Sequence, residues 1–193
     1  MANYPPPSFK RGAPGRVFKR RPKGFDRLVT DLILAWASFD TGLIWLMEEA
    51  FEIPSRNSRI LVGNMDIKGR IGKLKTLGSN MGFDDFKALM AQWESQYEKF
   101  VKPRNAICHM HFFGHIRDRP ELWVFGPAKA ERGPPRDVRM LVLDSEYAAA
   151  SRDWALAKAR EASDLLALLQ ESPMSELEEH LAPTPPSRSH RKQ

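Results

Sequence analysis

The stretch KPRNAICHMHFFGH, residues 102–115, gathers more reactive side chains than any other part of the chain. It holds Arg104, Asn105, the single cysteine Cys108, and His109, His111 and His115, three of the five histidines. Three chemistries are open to such a set. A metal ion needs ligands that converge, commonly two histidines at i,i+4 on one helix face. His111 and His115 have that spacing, but Gly114 interrupts it, and His109 and His111 point about 200° apart on a helix. A thiol nucleophile needs an oriented base; Cys108 and His109 are neighbours that face different ways, and a lone helical cysteine is usually a small hydrophobe. The third reading uses Arg104, Asn105 and His109. Asn105 lies one turn before His109 and can orient its ring. A histidine can take the proton of a ribose 2′-hydroxyl while an arginine stabilises charge building on the phosphate. No metal and no cofactor is required, and a second histidine, from a two-fold partner, would serve as the acid.

Phosphate-binding loops, dinucleotide fingerprints, paired CxxC, GxSxG and HExxH are absent from the sequence. The net charge is +6, yet residues 1–25 alone contain seven bases and no acid, so the remaining 23 bases and 24 acids leave the body one charge negative. Basicity therefore belongs to the N-terminal arm, which can reach anionic surfaces by Coulomb attraction or simply keep the chain soluble. One cysteine excludes an internal disulfide, and no signal peptide is expected; both suit the cytoplasm.

The elements that must position Arg104 and His109 are mainly helical. Residues 1–24 read as a disordered basic arm rich in Pro and Gly, and residues 172–193 as a disordered Pro-rich tail. Between them, 25–171 form one domain. FDRLVTDLILAWASFDTGLIWLMEEAF is a long helix, apolar nearly all round. Asp31 and Asp40 within it argue against a membrane span and for a central bundle helix with a dimer surface. A short helix is expected in 53–65. In a second one over 66–78, Ile67, Ile71, Leu74 and Leu77 face inward, while Lys68, Arg70, Lys73 and Lys75 face mainly outward. An amphipathic helix follows over 83–103, and RNAICHMHFF continues it beyond Pro103, kinked or restarted. ELWVFG and VRMLVLD read as a β-hairpin at about 121–144, with HIRDRP as a turn before it. A closing helix spans 144–170, with Tyr147, Trp154, Ala157, Leu165, Leu168 and Leu169 on its apolar side.

The hexamer RNAICH matches the R-x4-6-H motif of the HEPN superfamily, including the frequent polar residue after the arginine. The chain resembles, over roughly 25–170, an uncharacterised bacterial branch in which an Arg-Asn…His helix precedes a short hairpin and a closing helix. The resemblance implies a HEPN-like helical bundle with a small β-hairpin before the last helix, frequent homodimers and metal-independent endoribonuclease activity in many members. Others are non-catalytic dimeric binding or scaffold domains. It places Arg104, Asn105 and His109 at the catalytic positions, with Arg104 binding phosphate. An RNA substrate and an antitoxin or other protein partner are implied, as in toxin–antitoxin pairs. A structural alternative ties Arg104 to Asp31, Asp40 or Glu48 within the bundle.

Overall fold

The computed structural model describes residues 8–11, 17–127 and 139–171. Five helices carry most of it: α1 (Phe25–Ala50), α2 (Ser55–Leu61), α3 (Ile67–Met81), α4 (Asp84–His109) and α5 (Ser145–Glu171). Five strands, β1 (Ser8–Arg11), β2 (Val17–Phe18), β3 (Met110–Ile116), β4 (Arg119–Pro127) and β5 (Arg139–Asp144), form one antiparallel sheet in the order β1-β5-β4-β3-β2. The protein is thus mainly α-helical, with a small open β-sheet whose three central strands precede the last helix.

Helix α1 is long and apolar enough to cross a membrane by length and composition. In this fold its stripe Leu32, Trp36, Phe39, Leu43 and Leu46 is buried, and α5 packs along it. The two helices approach closely where Gly42 faces Ala162: a Cβ at Gly42 would lie 3.2 Å from that of Ala162. Trp36, Phe39, Trp93 and Trp154 interlock edge-on or tilted at centroid distances of 5.4–6.2 Å, joining α1, α4 and α5.

Helix α3 starts at Asp66, whose carboxylate accepts the Gly69 N–H at 2.7 Å, an N-cap. It runs past the expected 78 and stops at Gly82, in the left-handed region at φ 76°, where glycine carries no Cβ penalty. Its basic face is largely engaged. Lys68 bonds Glu98 and Lys75 bonds Glu94, both on α4. Arg70 points inward and is 3 % exposed. It shares the i,i+3,i+4,i+7 stripe of Ile67, Ile71 and Leu74, which corrects its expected outward orientation.

The closing helix buries Tyr147, Ser151, Trp154, Ala155, Lys158, Ala162 and Leu165, while Ala157 is exposed. Polar side chains hold this stripe because each is paired. Ser151 donates to the Phe100 carbonyl at 2.6 Å and accepts from Trp36 Nε1 at 3.1 Å. Lys158 binds Glu161 at 2.6–2.7 Å and lies 5.5 Å from the Trp93 ring centroid.

The sheet is larger than one hairpin. Residues 110–116, expected to extend the helix as far as Phe113, form β3, and Arg117–Asp118 make a two-residue turn into β4. Phe112 packs tilted on Phe25 and edge-on to Phe125, so packing against the sheet's inner face outweighs continuation of the helix. Two pieces of the arm expected to be disordered are strands: β1 pairs with β5, and β2 with β3. The rest of that arm, the 128–138 link between β4 and β5, and the 172–193 tail lie outside the described residues.

Candidate functional site

Pro103 sits inside α4, which continues to His109. Proline has no N–H to give the carbonyl four residues back, so the Lys99 carbonyl loses its helical donor. The Tyr147 hydroxyl of α5 donates to that carbonyl, and Ser151, one turn further along α5, donates to the next one, Phe100. Two side chains at i,i+4 on α5 thus seal the backbone of α4 at its proline. The last turns of α4, with Arg104, Asn105 and His109, project from this joint.

Arg104 is half-buried, while Asn105, Cys108 and His109 are exposed. The Arg104 guanidinium donates through Nη1 to Asn105 Oδ1 at 3.1 Å. Asn105 therefore orients the arginine and not, as the sequence suggested, the histidine. His109 closes α4 and forms no hydrogen bond or ion pair among the described residues. Five residues of helix separate Arg104 and His109 by about 140° and roughly 7.5 Å along the axis, and no hydrogen bond joins them.

Arg104 faces a cavity of about 220 Å³ that also involves Asp40 of α1, Asp66 and Arg70 at the start of α3, and Tyr97 and Val101 of α4. Tyr97, Val101 and Arg104 line one side because four- and three-residue steps keep them on one face. Burial raises the Tyr97 phenol above its ordinary value of 10.0; the Asp66 carboxylate pushes the same way and the Arg104 guanidinium opposes it. The acids that the sequence offered to Arg104 lie elsewhere or pair with other arginines. Asp40 binds Arg70, Asp31 lies 3.7 Å from Arg27, and Glu48 lines a separate cavity with Trp45.

His111 and His115 belong to β3, not to the helix end. His111 is exposed and meets Phe113 edge-on. His115 is buried, with Nδ1 2.8 Å from the Arg20 carbonyl and Phe18 against its ring. It fastens the arm to the sheet. Among the described residues, no group of three or more His, Cys, Asp or Glu side chains converges on a point that could hold a metal ion.

Sequence reasoning missed Arg70, Tyr97 and Asp66 as neighbours of Arg104. Tyr97 was legible as one helical repeat before Arg104. Arg70 and Asp66 were not, because only the packing of α3 on α4 brings them there. Comparison with family models, curated proteins and solved structures gives no match.

Proposed function

We propose that the chain is a HEPN-like, metal-independent endoribonuclease that acts in the cytoplasm as a homodimer. The observation that carries this reading is the state of the three motif side chains. His109 and Asn105 are exposed, and Arg104 is oriented by Asn105 with no carboxylate partner among the described residues. A purely structural motif would be neutralised inside the bundle, whereas two of its three candidate acids, Asp31 and Asp40, pair with Arg27 and Arg70 instead.

In the proposed reaction, His109 removes the proton of a ribose 2′-hydroxyl. The 2′-oxygen attacks phosphorus, the bond to the 5′-oxygen breaks, and a 2′,3′-cyclic phosphate forms. Arg104 stabilises the charge that accumulates on the phosphoryl oxygens. The proton for the departing 5′-oxygen comes from the second protomer's copy of the same histidine. Pairing across a two-fold axis also accounts for a helix that keeps Arg104 and His109 on different sides of one protomer.

The test is cleavage of single-stranded RNA in EDTA by the purified full chain. Cyclic phosphate ends are expected, and His109→Ala is expected to reduce the rate by about 10²–10⁴-fold with an unchanged melting temperature. Cleavage by the variant at the wild-type rate removes His109 from the chemistry.

A second reading, a non-catalytic dimeric binding or scaffold domain, draws on a different surface. Leu34 and Trp45 of α1 and Ile60 and Leu61 of α2 are all more than half exposed. Dimerisation without RNA cleavage, with protein capture through this surface, would favour it.

A further inference from the structure

The cavity beside Arg104 has a composition unlike that of a phosphate site. Two guanidinium groups, Arg70 and Arg104, are offset by two carboxylates, Asp40 and Asp66. A lining with no net charge gives little attraction to a bare anion. It does offer both donors and acceptors. Arg70 is 3 % exposed and spends its Nη groups on Asp40 and the Val62 carbonyl, while its buried Nε–H has no acceptor among the described residues, an uncompensated cost for a buried donor; Arg70 frames the cavity and orients Asp40. Arg104 spends one N–H on Asn105 and retains the rest of its five. Asp66 accepts one backbone N–H and Asp40 one guanidinium contact, so each carboxylate keeps free acceptor sites. The Tyr97 hydroxyl, held protonated by burial and by Asp66, has no partner among the described residues. Ile67 and Val101 add apolar wall.

The space is about 220 Å³, some seven waters at roughly 30 Å³ each. That suits one heterocyclic base and not a whole nucleotide. Among the four RNA bases, guanine combines two adjacent donors, N1–H and the 2-amino group, with two adjacent acceptors, O6 and N7. A carboxylate matches the first pair and a guanidinium fork the second.

We propose that this cavity is a guanine-recognition pocket, which seats the base beside the phosphodiester that Arg104 and His109 act on. Asp66 accepts from the N1–H and 2-amino edge, the N–H groups that Arg104 does not spend on Asn105 reach O6 and N7, and the Tyr97 ring supplies an aromatic wall. The proposal rests on the ribonuclease reading for its cleavage consequence, but base binding itself can be measured without turnover.

Two measurements separate the two ideas. The first is cleavage of otherwise identical oligoribonucleotides carrying guanosine, inosine, adenosine, cytidine or uridine at one position. Cuts beside guanosine are expected to be about tenfold or more faster than beside the other bases, and inosine, which lacks the 2-amino group, should lose most of that advantage. Asp66→Asn retains a side-chain oxygen able to cap α3 and should keep the melting temperature while the preference collapses. The second is calorimetric binding of the four nucleoside monophosphates to full-length His109→Ala protein. Preferential binding of guanosine monophosphate, lost in the additional Asp66→Asn background, supports the pocket even if no RNA is ever cut, in which case only the ribonuclease reading falls. His109-dependent cleavage indifferent to the base, equal binding of all four nucleotides, or a preference that survives Asp66→Asn overturns the pocket.

Discussion

Replacing Tyr147 with phenylalanine removes one hydroxyl and little else, and its cost depends on a proline 44 residues away in sequence. The hydroxyl donates to the Lys99 carbonyl, which has no helical donor because position 103 is proline. Tyr147 is 5 % exposed, so water replaces the lost bond poorly. Leaving a buried acceptor unpaired costs about 1–3 kcal/mol; since Lys99 lies on the rim of the bundle, the lower half of that range, about 1–2 kcal/mol, is expected. In a Pro103→Ala background the backbone regains an N–H at that position, which can close the ordinary helical bond to the Lys99 carbonyl. Tyr147→Phe should then cost roughly half a kcal/mol or less, because the carbonyl stays paired. The coupling between the two positions is therefore about 1 kcal/mol. Urea unfolding of the wild type, both single variants and the double variant measures it, and taking differences within each background cancels packing changes at position 103. Equal costs of Tyr147→Phe in the two backgrounds would refute the claim that this tyrosine compensates for the proline.

Two further predictions concern the arm and the buried phenols. Gly114 has φ 137°, and a Cβ there would lie 2.3 Å from the Phe18 carbonyl oxygen. Gly114→Ala should therefore lift β2 off β3, seen as accelerated amide exchange confined to Val17–Arg20 and the adjoining edge. The global loss should stay within about 2 kcal/mol, since the few bonds broken are partly offset by regained chain entropy; exchange unchanged at that edge would contradict the close approach. Tyr97 and Tyr147 both have phenol pKa values raised above 10.0, chiefly by burial. The folded chain therefore keeps protons that the unfolded chain releases: stability is intact below pH 10 and falls as pH rises through and above it. A tyrosinate absorbance titration should show both phenols ionising late. Tyr97→Phe should reduce the alkaline slope of stability, and an unaltered slope would remove Tyr97 as a contributor.

The long helices were legible in the sequence because three- and four-residue apolar spacing is a local property. Leu32, Phe39, Leu43 and Leu46 on α1 and Phe86, Met90 and Trp93 on α4 are buried where that spacing places them. The motif was equally local, since Arg104, Asn105 and His109 must share a helix whatever surrounds it. Three features were decided only by tertiary packing. Residues 110–113 could extend a helix or form a strand, and the packing of the partly buried Phe112 against Phe25 and Phe125 favours the strand. Pro103 could end α4 or lie within it, and the donor from Tyr147 on a distant helix allows the helix to continue. Arg70 looked like one base among several on a solvated face, but its place on the apolar stripe and an Asp40 within reach draw it inward. By itself the sequence determined that Arg104, Asn105 and His109 share one helix. The surroundings of Arg104 came only from the fold, because Asp40, Asp66, Arg70 and Tyr97 come from three segments that converge only when α1, α3 and α4 pack, and no local pattern encodes that convergence.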